Sequence, residues 1–215
     1  MRVTHALTLD ACVKSFTVED VFSPLYLEQV LLPGVASPVD GPSAAVAAVA
    51  RNGESGVEVL FIERSTKEGD PWSGQMAFPG GRASDGDRDS LATAVRETIE
   101  EVGIDLTDSL LVGRLSDLEG GPRGTRQRLT VTPYVFWMSG PRPRTVANHE
   151  VAGVIWVPVS ELAESSHYIE YPYPPLGPNS WPGIRVEGER VIWGLTLRML
   201  VDLFRRVGHP LTIRS

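Results

Sequence analysis

Hydrophobic and polar positions along the 215-residue chain switch between two periods, and the switches mark the elements. Apolar runs of strand length and composition occupy Ala44–Arg51 and Val57–Glu63, separated by the turn Asn52-Gly53-Glu54-Ser55-Gly56. Further strands are predicted near 110–116, 128–138 and Val151–Val157. Helical spacing appears near Val18 to Val30, over 90–102 with a stop at Gly103, over the short stretch Val159–Ser165, and over Val191–Val207. The segment 31–42 is rich in Pro and Gly and reads as a linker. Segments 66–77, 119–128 and 168–183 read as loops, the last dense in Pro, Tyr and Trp. No internal repeat is visible. Strands with helices before and after them predict a three-layer α/β arrangement. The expected organisation is an N-terminal extension and linker over 1–42, one domain over 43–207, and a tail over 208–215.

Composition narrows the function. Hydrophobic residues at 42% and charged residues at 22% are ordinary for a globular protein. A net charge of −7 argues against a nucleic-acid surface, which is basic. An anionic substrate must therefore meet local cations. Cys12 is the single cysteine, so no internal disulfide framework is expected. No run approaches 18 apolar residues and no signal-like apolar core opens the chain, so no membrane span is expected and the cytoplasm is the default location. Oligomeric state stays open.

The chemistry concentrates between Gly80 and Ile104, GGRASDGDRDSLATAVRETIEEVGI. On a helix at about 100° per residue, Glu97, Glu100 and Glu101 share an arc roughly 100° wide. Leu91, Val95, Thr98, Ile99 and Val102 form a stripe on the opposite side, expected to be the buried face. Clustered glutamates are usually a solvated face. Here they follow a double glycine, share the helix with Arg96 and end at a Gly stop. Like charges so close repel, and a cation relieves them. Oxygen ligands suit Mg²⁺ or Mn²⁺.

The run Arg96-Glu97-Thr98-Ile99-Glu100-Glu101-Val102-Gly103-Ile104 resembles the Nudix box of the Nudix hydrolases, which ends Arg-Glu-aliphatic-x-Glu-Glu-x-Gly-aliphatic. Thr98 stands where an aliphatic residue is usual. The family's first glutamate falls at Arg88, and the run from Gly81 to Arg96 is one residue longer than the commonest form. Either Asp87 or Asp89 supplies that acid, or Asp89 caps the helix. The resemblance implies an α/β/α sandwich with a mixed β-sheet. It also implies divalent-metal hydrolysis of a diphosphate joined to a nucleoside, a small-molecule nucleotide-type substrate. Glu97, Glu100, Glu101 and the Gly81 carbonyl are the implied metal ligands, with Glu97 and Arg96 in catalytic roles. Glu150 resembles a glutamate that some members place near the site; a rim glutamate is its ordinary reading. His149 reads as a loop histidine.

Upstream, Leu60-Phe61-Ile62-Glu63-Arg64-Ser65 and Gly74-Gln75-Met76-Ala77-Phe78-Pro79-Gly80-Gly81 resemble a second motif of the coenzyme A-cleaving group. The gap between them is one residue longer than in that group, and Gly69 stands where that group has Arg; Lys67 is a weaker substitute because it lacks a guanidinium fork. Val191–Thr196 also resembles that group. Arg64, Trp72 and Gly80 are candidate substrate contacts, with Trp72, Tyr171, Tyr173 and Trp181 available to stack on a base. Coenzyme A or acyl-coenzyme A is the leading substrate expectation. ADP-ribose or another nucleoside diphosphate sugar is the alternative, and a non-catalytic nucleotide-binding sensor is a third reading.

Overall fold

The computed structural model describes residues 17–38, 41–68, 73–120, 129–174 and 177–213. The elements are α1 (Pro24–Val30), β1 (Ser43–Gly53), β2 (Gly56–Arg64), β3 (Met76–Ala77), β4 (Gly80–Arg82) and α2 (Ser90–Val102). They continue with β5 (Leu110–Arg114), β6 (Leu118–Gly120), β7 (Leu129–Met138), β8 (Val151–Pro158), α3 (Val159–Ala163), β9 (Tyr168–Pro172), β10 (Ser180–Val186), β11 (Arg190–Trp193) and α4 (Gly194–Arg206).

The centre of the main sheet is β1, SAAVAAVARNG. Its short side chains are buried on both faces, as a continuous apolar run predicts. Ala45, Ala47 and Val49 face α2, and Ala44, Ala48 and Ala50 face the opposite helical layer. β1 pairs in parallel with β7, while the other pairings of this sheet are antiparallel, so the sheet is mixed. Helix α2 covers one face; α1, α3 and α4 pack on the other, where Phe22, Leu27, Leu162 and Phe204 are fully buried. The result is an α/β/α sandwich.

One departure from a simple hairpin creates the site. β1 and β2 pair only at Ala50–Gly53 with Gly56–Val59, beside their turn. Beyond it they diverge. β3 pairs with Ile62 and Glu63 of β2, and β4 pairs with Ala44–Val46 of β1. The segment Met76–Arg82 is thus wedged into the sheet end, under α2.

Several expected boundaries are corrected. The segment 168–183 is not all loop: β9 and β10 pair antiparallel within it, and β11 completes a separate three-stranded sheet. The expected helix over Val191–Val207 begins only at Gly194, because Val191–Trp193 pair with β10. The loop 66–77 contains β3, and 119–120 belong to β6; 121–128 lie outside the described residues. Of the expected stripe, Thr98 and Val102 are buried and Leu91 and Val95 are partly buried against the core, but Ile99 is 44% exposed, and Ser90, Thr93, Ala94 and Glu101 make up the rest of the buried face. The helix is turned roughly 100° from the orientation its apolar stripe suggests. Short side chains let it approach Ala45, Ala47 and the glycines of β4, which the larger stripe residues would prevent. Leu91, Val95 and Ile99 line an open cleft of about 650 Å³ with Leu106 and Phe136.

The N-terminal segment from Val18 to Leu31 packs into the core beside α4, and the Glu19 carboxylate accepts the Val57 N–H at 2.7 Å. At the other end, Asp202 of α4 accepts the Ser116 N–H at 2.9 Å and pairs with Arg205 and Arg206 at 2.5 and 2.9 Å. Burial pushes the Asp202 carboxyl up, but the Ser116 N–H and the two guanidiniums outweigh it and hold it down to about 2. A depressed folded value means stability that is present above the ordinary aspartate value near 3.9 and is lost as pH falls toward 2. Asp202→Asn should therefore cost about 1–3 kcal/mol at pH 7. Denaturant titrations of the two proteins should converge as pH approaches 2; a pH-independent difference would show that the ion pairs are not its source.

Candidate functional site

Helix α2 is set by its ends. The Asp89 carboxylate caps it by accepting the Ala92 N–H at 2.8 Å, and Gly103 ends it at φ 71° in the left-handed region. The Tyr134 hydroxyl, buried beneath the first turn, lies 2.7 Å from the Ser90 hydroxyl. Ser90 in turn donates to the Ser37 carbonyl at 3.1 Å. These contacts fix which face of α2 meets the sheet.

Two glycines then bring backbone against carboxylate. Gly80 has φ 151°, and a Cβ there would stand 2.3 Å from the Ala45 carbonyl oxygen and 2.5 Å from Val46 Cα. Only glycine fits. Its N–H donates to Glu101 Oε2 at 2.8 Å. A Cβ on Gly81 would stand 2.5 Å from the Glu97 carboxyl carbon, so this backbone lies directly against Glu97.

Arg96 organises the acids. Its Nε and Nη2 donate to the two Asp87 oxygens, both at 2.8 Å. Its Nη1 donates to Glu97 at 2.8 Å and Glu100 at 2.9 Å, and Nη2 also reaches the Arg82 carbonyl at 3.1 Å. The Arg96 guanidinium holds the Asp87 carboxyl far below the usual carboxylate range, and Asp87 raises the arginine in return. Asp87 also accepts from the Ser84 N–H and the Thr93 hydroxyl. Of the two candidate acids, then, Asp89 is the cap and Asp87 is the partner of Arg96.

The carboxylates differ in environment. Glu100 is half-exposed and Glu97 largely covered. Glu101 is only 2% exposed. Burial pushes its carboxyl up to about 7; the Gly80 N–H and the charge of Arg64 oppose this, while Glu97 and Glu150 add to it. Burial likewise raises Glu97, against the pull of Arg96.

Arg64, at the end of β2, and Glu150, at the entry to β8, thus stand within electrostatic reach of Glu101. The Ser65 N–H donates to the Glu150 carbonyl at 2.8 Å, and the Glu150 side chain is exposed. His149 is exposed in the same loop. Trp72 and Gly69 lie outside the described residues. Tyr171 and Tyr173 pack on Trp193, with ring centroids 5.5 and 4.6 Å apart, on the three-stranded sheet. That sheet is tied to the site end of the main sheet by Arg190–Glu63 at 2.8 Å. Thr196 of α4 donates to the Met76 carbonyl at 3.0 Å.

The Arg82 carbonyl and Asn148 joined this constellation without being foreseen. Asn148 precedes Glu150 by two residues, a spacing that suits an Asx turn; the Arg82 contact is made by backbone and has no side-chain signal.

Among the described residues, no group of three His, Cys, Asp or Glu side chains is already gathered to hold a metal ion. Glu97 and Glu100 are each engaged by Arg96. The donor set nevertheless suits a hard divalent cation: carboxylates on one helix face with the Gly81 backbone against Glu97. The buried Glu101, raised to about 7, is the kind of group a cation would return to its ionised form.

A family model for the NUDIX domain matches residues 41–175. An uncharacterised protein of Schizosaccharomyces pombe is 37% identical over 107 residues, which cover 48% of this chain and 32% of that one. A Yersinia pestis protein named as an uncharacterised Nudix hydrolase, NudL, is 31% identical over 135 residues, which cover 63% of this chain and 65% of that one. The matches thus span less than two thirds of these relatives' own length. A solved MutT/nudix family protein from Enterococcus faecalis aligns over 91% of this chain and 71% of its own, with a TM-score of 0.52 and 15% identity, a likeness of fold alone.

The two aspartates should separate on substitution. Asp89→Ala removes one cap and should lower stability by about 0.5–2 kcal/mol, leaving the acids around Arg96 in place. Asp87→Ala removes the bidentate partner of Arg96 and should cost about 1–3 kcal/mol while also freeing the arginine from Glu97 and Glu100. Thermal melts paired with a structure of each variant check this; an unmoved Arg96 in Asp87→Ala would refute the clamp.

Proposed function

The chain belongs to the NUDIX family, and on that premise we propose that it hydrolyses the diphosphate bond of a nucleoside diphosphate derivative with the help of Mg²⁺ or Mn²⁺. The observation that carries this reading is the carboxylate face of α2: Glu97, Glu100 and Glu101 set against the Gly80-Gly81 backbone, with Glu101 buried. Glu97, Glu100, Glu101 and the Gly81 carbonyl are the proposed metal ligands. A divalent cation bound there would neutralise diphosphate oxygens and lower the pKa of water. Arg96 orients the carboxylates, and Asp87 holds Arg96. Glu150 is the proposed base that takes a proton from the attacking water as the P–O bond to the leaving phosphate breaks. Arg64, for a substrate phosphate, and Gly80 and Trp72 are the proposed substrate contacts. The catalytic unit is proposed to be 43–207, with 1–42 as extension and linker and 208–215 as tail.

Coenzyme A or acyl-coenzyme A is the proposed substrate, cut to a phosphopantetheine fragment and 3′,5′-ADP. Support comes from the contact between Thr196 and Met76, which joins two segments that separately resemble the coenzyme A-cleaving group. ADP-ribose or another nucleoside diphosphate sugar is the second reading, favoured by Gly69 standing where that group has Arg. A nucleotide sensor without turnover is disfavoured by the intact Glu97, Glu100 and Glu101.

Two measurements test this. A panel of coenzyme A, acetyl-coenzyme A, ADP-ribose and a sugar nucleotide, with Mg²⁺ or Mn²⁺, should show the highest kcat/KM for a coenzyme A compound. Fast turnover of a sugar nucleotide with none of coenzyme A would transfer the assignment to the second reading, and binding without turnover would favour a sensor. Glu101→Gln keeps the shape and the Gly80 contact but removes charge. It should stay folded with activity down at least about 100-fold; near-normal turnover at saturating Mg²⁺ would exclude Glu101 as a ligand.

A further inference from the structure

Residues 139–150 join β7 to β8 and run across the C-terminal end of α2. Three sets of contacts hold this segment. At its start, the Arg51 Nη2 donates to the Gly140 carbonyl at 3.0 Å, and Arg142 pairs at 2.6 Å with Glu58, which is itself paired with Arg51. Midway, the Val146 N–H donates to the Val102 carbonyl at 2.9 Å and the Asn148 N–H to the Glu101 carbonyl at 3.0 Å. A helix leaves its last carbonyls without intrahelical partners, so this segment completes the turn that carries Glu101. The approach is close: a Cβ on Gly103 would stand 3.3 Å from Val146 Cβ.

At its end the segment turns into β8 through Asn148. The Asn148 Oδ1 accepts the Glu150 N–H at 2.8 Å, and its carbonyl accepts the Val151 N–H at 3.3 Å. One residue therefore holds the backbone of Glu101 on one side and the backbone of Glu150 on the other.

We propose that Asn148 is a positioning residue that fixes the Glu150 carboxylate relative to the carboxylate face of α2. The proposal rests on the reading of Glu150 as the base of the hydrolysis proposed above. It assigns Asn148 no contact with substrate; its effect passes through Glu150. Alanine at 148 keeps the backbone bond to Glu101 but loses the acceptor for the Glu150 N–H. Aspartate keeps an acceptor at the same place.

The test reads kcat and KM with coenzyme A and ADP-ribose in Mg²⁺, together with amide hydrogen exchange of the substrate-free protein. Asn148→Ala should lower kcat about 10- to 100-fold, with KM changed by less than about twofold. Asn148→Asp should recover most of that loss. In a Glu150→Gln background, Asn148→Ala should cause no further loss, because the group it positions is already gone. Exchange at Glu150 and Val151 should accelerate in Asn148→Ala and not in Asn148→Asp, with β1 and β7 unchanged. Equal loss in both backgrounds, wild-type kcat in Asn148→Ala, or unchanged exchange at Glu150 overturns the proposal. A wild-type protein that hydrolyses neither compound counts against the hydrolase reading, and the exchange measurement then decides alone whether Asn148 holds Glu150.

Discussion

A carboxylate buried between a helix and a strand end governs the architecture of this protein. Glu101 is nearly inaccessible, and its carboxylate accepts the Gly80 N–H at 2.8 Å. Burying an ionised carboxylate costs several kcal/mol unless charge or hydrogen bonds compensate. The surrounding features serve that burial. β4 must reach under α2, which requires β1 and β2 to part, and its Gly80 must lie against the Ala45 and Val46 backbone at φ 151°, which requires glycine. α2 must sit close, which requires Ser90, Thr93, Ala94 and Thr98 on its inner face and alanines on β1. The raised carboxyl that results is a group poised to gain from a cation.

Around it lies a layer of charge that orders the remaining acids. Arg96 would be an ordinary helix-surface arginine were it not gripped by Asp87 through two parallel bonds, the geometry in which guanidinium and carboxylate bind most strongly. Its third nitrogen is thereby aimed at Glu97 and Glu100. Asp87 makes this contact from a loop between Gly81 and Arg96 that is one residue longer than the commonest Nudix form.

The second layer of the fold reaches the site from outside. The three-stranded sheet and α4 contact the main sheet where β2 ends and β3 begins, through Glu63 and Met76. Tyr171 and Trp193 belong to that sheet, and Tyr173, just past β9, packs on Trp193. The segment 139–150 approaches from the other direction and closes the last turn of α2. Elements far apart in sequence thus meet at this end of the fold, the three-stranded sheet and α4 through Glu63 and Met76 and the segment 139–150 through the last turn of α2.

What the sequence determined by itself was local. The limits of α2 and its stop at Gly103 follow from backbone chemistry within a few residues, as do the apolar runs that become β1, β2 and β7. The spacing of Glu97, Glu100 and Glu101 follows from helix geometry alone. What tertiary structure decided was which way that helix faces. Its apolar stripe argued for burying Leu91, Val95 and Ile99, but close packing against alanine and glycine backbone selected the small polar face and drew Glu101 inside. Side-chain size at the contact outweighed hydrophobicity there. The strands of 168–183 were hidden for a similar reason: their Pro, Tyr and Trp residues look like loop, and the pairing of β9 with β10 and of β10 with β11 makes them sheet. The role of Asp87 depended on where a loop of unusual length placed it against Arg96, a distance set by folding rather than by position in the chain.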